Sequence, residues 1–292
     1  MQLGMDLAAS IARCTPNEGV NETCIDGLRL YRGHCDTPRQ PVVYRPSICV
    51  VAQGQKRLFL GEHSFSYDTH NYLISSLTLP IEAEVSGTSP EHAYLGLSLD
   101  VDPGLVSQLI VQMDLHQHGG PAVKGAEIIS CAPITPHLKQ CLGRLVALTT
   151  NPMDRDILGA SVKREIFYEV LKGPQGGLLR NCVSNHSGAS RLAAVVHFIE
   201  ANFHRSLDID ALTKIAQMSP SALHEQFKAL TSLPPMQFVK NLRLHHARSL
   251  LLSGTTASDA SYQVGYSSPS QFSREFKRLF GYTPTQSQAQ TG

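Results

Sequence analysis

Between Gly27 and Asp100 the apolar residues come in short runs separated by turn residues. The runs are GLRLYRG (27–33), SICVVAQ (47–53), KRLFLGE (56–62), HSFSY (63–67), NYLISSL (71–77), IEAEVSG (81–87) and AYLGLSLD (93–100). Each is strand-length and rich in Val, Ile, Leu, Tyr or Phe, and Gly54, Gly61, Asp68, Pro80 and Gly87 punctuate them. Many short strands at regular spacing predict a sandwich or a barrel. GEH at 61–63 reads as a hairpin turn between two of them. Ahead of this region, Leu3, Leu7 and Ile11 share one face of a short helix over Gln2 to Cys14.

After Pro103 the period changes from two to about 3.6. Leu105, Leu109, Ile110 and Met113 form one helical stripe; Leu138, Leu142, Leu145, Val146 and Leu148 form another; a third helix is expected from Leu158 to about Leu171. These helices would pack beside the strands and offer a dimer interface. GPQGGLLRNCVSNHSGAS (173–190) holds four glycines and reads as a boundary. The division expected is therefore 1–180, a linker over 181–190, and 191–292.

From Arg191 onward the pattern is helical throughout. Leu192, Val195, Val196 and Ile199 open it. Asp208 caps a helix with Leu212, Ile215 and Ala216 inward, and Ser219–Pro220 begins a second with Leu223, Phe227 and Leu230 inward. Pro234–Pro235 precede a long helix that Gly254 stops. The device then recurs. Ser268 stands at an N-cap with Pro269 at the first helical position; Phe272, Phe276 and Leu279 make the apolar stripe; Gly281 and Pro284 end the helix. IAQMSPSALHEQFKAL and QVGYSSPSQFSREFKRLF are thus two copies of a helix-turn-helix, about fifty residues apart and joined by one long helix. Such a connector would present two helices to successive major grooves.

The net charge of +1 hides an asymmetry. From Arg191 there are ten Lys/Arg against six Asp/Glu, whereas the preceding residues hold fifteen against eighteen. A basic module on a mildly acidic partner suits nucleic-acid binding. No apolar run approaches the roughly 18 residues of a membrane span. The seven cysteines are scattered without a CxxC, and the start lacks the pattern of a secretory signal. A cytoplasmic protein with free thiols is expected.

VGYSSPSQFSREFKRLFGYTP (264–284) resembles the signature of the AraC/XylS family of bacterial transcription regulators, over about the last hundred residues. YRPSICVVAQGQKRLFLGE (44–62) resembles the subclass with the AraC-type regulator N-terminal region. The resemblance implies an α+β protein: a cupin-like β-barrel with flanking helices that binds an effector and dimerises, then an all-α domain with two helix-turn-helix motifs. It implies double-stranded DNA, a small-molecule effector, a second copy of the chain and RNA polymerase as partners, with no cofactor. Three departures stand out. Ala260 and Ser261 replace a bulky aliphatic and Ala, Gln217 replaces a common Gly, and Ser287 and Gln288 replace Tyr-Arg.

The outward residues of the two reading helices assign the contacts. Ser221, His224, Glu225, Ser270, Gln271 and Arg274 are expected at base edges. Arg274 suits guanine, Gln271 adenine and Glu225 cytosine; for Arg274 the alternative is a phosphate contact or a solvated charge. Ser219, Lys228, Lys240, Ser268, Lys277 and Arg278 are expected at phosphates. Within the barrel, Tyr31, Tyr44, Arg45, Cys49, Tyr72 and His92 are the candidate effector-lining groups. Cys49 is either a reactive thiol or an inert buried one. Glu62, His63, His70 and His92 lack the His-x-His spacing of a metal cupin, and the one such pair, His116–Gln117–His118, falls in a loop. No metal site is assigned. Catalysis is not expected, because no phosphate loop, serine elbow or Cys–His nucleophile pattern occurs.

Overall fold

The computed structural model describes residues 6–116, 127–183 and 188–288. The N-terminal part holds α1 (Leu7–Cys14) and then β1 (Gly19–Glu22), β2 (Leu28–Gly33), β3 (Thr37–Tyr44), β4 (Ser47–Gln53), β5 (Gln55–Leu60), β6 (His63–Tyr67), β7 (Asn71–Ser75), β8 (Leu79–Ser86) and β9 (Tyr94–Asp100). α2 (Pro103–His116), β10 (Ile129–Pro133), α3 (Pro136–Ala147), α4 (Pro152–Lys172) and α5 (Gly176–Asn181) follow. The remaining chain is helical: α6 (Gly188–Asn202), α7 (Ile209–Ala216), α8 (Pro220–Thr231), α9 (Pro235–Leu252), α10 (Ala257–Gln263), α11 (Pro269–Phe280) and α12 (Pro284–Gln288).

The strands form two separate antiparallel sheets, ordered β1-β2-β9-β4-β7-β10 and β3-β8-β5-β6. This corrects the closed barrel expected from the strand pattern. Alternation specifies which face of a strand is buried, but not whether two sheets share hydrogen bonds. The larger sheet is covered on both sides. Ile48, Val50, Tyr72, Ile74, Leu97 and Leu99 pack with α1 and the helices from α2 to α5 in one core. Cys49, Val51, Leu73 and Tyr94 face the smaller sheet. The turn at Gly61–Glu62 joins β5 to β6 with Leu60 paired to His63, as the sequence suggested. Gly61 has φ +61°, the left-handed conformation such a turn requires.

Caps set the helix starts. Asn151 accepts from the N–H groups of Met153 and Asp154, and Pro152 takes the first position, so α4 begins well before Leu158. Helices reach into the expected linker over 181–190 from both sides: α5 ends at Asn181 and α6 starts at Gly188. Among the described residues no helix is long and apolar enough to cross a membrane.

The helical C-terminal part lies against the smaller sheet. α9 touches β3 and β8, and α11 touches β3. Leu212, Leu223, Phe227 and Phe238 join the same apolar cluster as Leu58, Tyr67, Leu79 and Ile81. The second helix-turn-helix has its own smaller core of Leu244, Ala247, Leu251, Ala260, Val264, Tyr266, Phe272 and Phe276.

Candidate nucleic-acid interface and ligand site

α8 and α11 are built alike. Ser219 Oγ accepts from the N–H of Ala222 and Ser268 Oγ from that of Gln271, each at 3.3 Å. A proline follows each cap, and thirteen residues beyond each cap the helix ends in a left-handed residue, Ser232 and Gly281. One face of each helix is sealed: Leu223 and Phe227 in α8, Phe272 and Phe276 in α11, are fully buried. The opposite faces are open. Ser221, His224 and Glu225 on α8, and Ser270, Gln271 and Arg274 on α11, are all exposed. So are Ser219, Lys228, Lys277 and Arg278, while Ser268 and Lys240 are half-buried.

Beyond the two capping serines, two more assigned side chains have partners. Lys240 Nζ lies 3.1 Å from Glu275 Oε1, and the Gln271 amide donates to the same oxygen at 3.2 Å. The Tyr266 hydroxyl donates to Glu275 Oε2 at 2.8 Å. Burial works to raise the Glu275 carboxyl, and these three donors outweigh it and hold it below the usual range. The ammonium of Lys240 therefore ties α9 to α11, a tertiary role that its spacing in the sequence did not reveal. Glu275 itself sits at i+4 from Gln271, which was the available signal.

The six candidate effector groups divide. Tyr31, Tyr44 and Cys49 come together between the sheets, where the Tyr44 and Tyr67 hydroxyls are 2.9 Å apart and Tyr31 bonds Ser98 at 2.9 Å. Tyr72 belongs to the opposite face, in the core beneath the helices, because it is one residue out of register with Leu73. Arg45 is exposed at the contact with the C-terminal part, where its charge acts on Glu200 and His246. His92 is exposed in the turn that pairs it with Ser89. Burial pushes the Cys49 thiol up, which disfavours the reactive thiolate. Glu62, His63, His70 and His92 are all exposed and do not converge. The His116–Gln117–His118 pair runs outside the described residues.

Lys56 is the residue missed. It points between the sheets from β5, with Nζ 5.1 Å from the Tyr44 ring centre and 5.7 Å from that of Tyr31. Among the described residues it has no carboxylate partner. Burial pulls its ammonium below the usual range, and the rings offer only a cation–π contact. Period-two alternation in QKRLFL already puts Lys56 on the face of Leu58 and Leu60, both buried.

The region around Lys56 is joined to α8. β5 runs from Lys56 to the Gly61 turn, and a methyl group on Gly61 would lie 2.6 Å from Ser232 Oγ at the end of α8. Nearby, the hydroxyl of Thr78 donates to Glu200 on α6.

The family described as the AraC-type transcriptional regulator N-terminus matches residues 24–178, more than half of the chain, and a helix-turn-helix domain family matches residues 212–290. The HTH-type transcriptional activator RhaS of Escherichia coli O1:K1 / APEC is 31% identical over 147 residues, 50% of this chain and 52% of RhaS. The chain thus spans about half the length of the curated relatives it matches. Two structures of ToxT from Vibrio cholerae strain SCE256, one apo and one bound to an unsaturated fatty acid, share the fold at a TM-score of 0.62 and 12% identity. The apo structure covers 94% of this chain and 100% of its own, the fatty-acid complex 91% and 96%. The paired helix-turn-helix units, the two-sheet domain ahead of them and the match over residues 24–178 agree: this chain belongs to the AraC-type transcriptional regulators.

Proposed function

We propose that the protein is a cytoplasmic, sequence-specific DNA-binding regulator of transcription whose two-sheet domain (about 1–180) senses a small molecule and whose 191–292 domain reads DNA. The observation that carries this is the equivalence of α8 and α11: same cap, same length, same sealed apolar face and an exposed polar face. On this reading Ser221, His224, Glu225, Ser270, Gln271 and Arg274 meet base edges in two successive major grooves. Lys228, Lys277 and Arg278 meet phosphates, with Ser219 and Ser268 placing their helix N-termini against the backbone. Lys240 contributes by holding α9 to α11.

The effector sits between the sheets beside Tyr31, Tyr44, Cys49 and Lys56, and carries an anionic group for the Lys56 ammonium, which no carboxylate among the described residues neutralises. An anion there would shift β5, and with it the Gly61 turn against Ser232, biasing how α8 is presented. A screen of small carboxylic acids against their methyl esters by thermal shift should find stabilisation by acids only, lost in Lys56→Met. Leu115, 77% exposed, and the exposed Tyr168 line one shallow groove between α2 and α4, which suits contact with a second copy. RNA polymerase is the expected partner at the promoter.

In vitro selection of random duplex by the full chain tests the core of this. A bipartite motif with halves about ten base pairs apart is expected. Affinity without sequence enrichment, governed by salt alone, overturns it.

A further inference from the structure

Away from both sites, α3 and α4 bring together side chains with the composition of a metal centre. α3 carries His137 and Cys141, and α4 carries Glu165 and Glu169. Each pair is spaced i, i+4 and so shares one helix face, and the two helices pack on each other. His137 Nε2 lies 3.2 Å from Glu165 Oε1, 3.8 Å from Cys141 Sγ and 3.9 Å from Glu169 Oε1. The donor atoms of His137, Cys141 and Glu165 all fall within 4.8 Å of one another.

Zinc binds imidazole nitrogen and carboxylate oxygen at about 2.0–2.2 Å and thiolate sulfur at about 2.3 Å. Donors at the corners of a tetrahedron with those bonds stand roughly 3.3–3.7 Å apart. The spacings around His137 are already close to that, so small side-chain adjustments would complete the shell. Ion pairing explains part of the cluster without a metal: Arg144 donates to Glu165 Oε2 at 2.9 Å, and Lys172 lies 2.7 Å from Glu169 Oε1. The Cys141 thiol joins the same cluster, hydrogen-bonded to Glu165 and within 3.8 Å of His137 Nε2. Cys141 is fully buried, yet its sulfur turns toward the imidazole at the edge of the apolar core. Arg144 also leaves Glu165 Oε1 facing His137, the orientation a ligand would need.

We propose that His137, Cys141 and Glu165, with Glu169 or a water as the fourth donor, form a site for a divalent transition metal of the zinc class. The mixed nitrogen, sulfur and oxygen set favours such an ion over magnesium or calcium. Binding forms a metal–sulfur bond, breaks the Cys141 S–H bond and releases that proton to solvent, with no change of oxidation state. The ion fastens α3 to α4 and so stiffens the helical layer over the larger sheet.

The test is titration of the metal-free full chain with Co(II), read by the thiolate-to-cobalt charge-transfer band, followed by displacement with Zn(II). One equivalent per chain is expected, with Zn(II) raising Tm. Cys141→Ser should remove the band, and Glu165→Gln or His137→Ala should weaken binding by about tenfold or more. Circular dichroism of each metal-free variant checks the fold. If Cys141→Ser fails to fold, the two partly exposed ligands carry the test. No band at stoichiometric Co(II), a band that survives Cys141→Ser, or one lost instead in Cys24→Ser or Cys35→Ser at exposed thiols overturns the site.

Discussion

The two helix-turn-helix units solve the same turn with different residues. Where the first unit places Gln217 at φ +52° and Ser232 at φ +61°, the second places Gly265 at φ +89° and Gly281 at φ +83°. A left-handed non-glycine residue costs roughly 1–2 kcal/mol. The first unit carries that cost twice and shares its apolar core with the sandwich. The second carries neither cost and closes a small core of its own. The lesson lies in the cores: the first unit shares its apolar cluster with the sandwich, whereas the second closes its own and meets the smaller sheet through α11 at β3.

Phe272→Ala should break the comparison most severely. It removes a fully buried ring from the smaller core, at about 3–5 kcal/mol. Differential scanning calorimetry should show an early transition for the second unit with the sandwich transition in place. Next comes Gly265→Ala. Its methyl group would lie 2.5 Å from the backbone oxygen of His204, in a left-handed residue, so a loss of about 2–4 kcal/mol is expected in urea unfolding.

Acid should also find the second unit first. His245 packs edge-on against Phe280 at 5.2 Å. Burial, helped by the Arg248 and His246 charges, lowers its imidazole to about 3. The native state then stays neutral while the unfolded chain takes a proton below about 6.5. Stability is therefore complete above about pH 6.5 and falls as pH drops toward 3, by up to about 1.4 kcal/mol per unit. Urea midpoints at pH 7 and pH 5 check this, and His245→Gln should flatten the slope.

Arg274→Ala is expected to cost about 1–3 kcal/mol in operator binding and to relax one base position, seen in repeat selection. A uniform loss across sequences would move Arg274 to a phosphate role. The smallest effect has the opposite sign. Gln217→Gly should stabilise the first unit by about 1 kcal/mol, because this exposed residue gives up only strain. Equivalent positions, 217 and 265, thus predict opposite outcomes of exchanging glycine with a side chain.

Most of this architecture was legible because the chain states it locally. SICVVAQ and HSFSY are strands residue for residue, and Ser219, Ser268 and Asp208 cap as read. The strands missed were those without a clean pattern. β1 is GVNE with one buried residue, β3 holds two prolines, and β10 finds its pairing partner, β7, far back in the chain. The placement of the candidate effector groups was half legible for a related reason. A sheet buried on both faces shows no alternation, so nothing in NYLIS told Tyr72 from Leu73. β5 does alternate, and that is why Lys56 was discoverable.

The contact between Gly61 and Ser232 has a thermodynamic consequence that runs backwards. If occupancy between the sheets alters operator affinity by some factor, linkage requires the operator to alter occupancy by that same factor. The protein on its promoter would then respond over a different concentration range from the protein free in solution. Two binding isotherms for one ligand, with and without saturating duplex, would measure the coupling from either end.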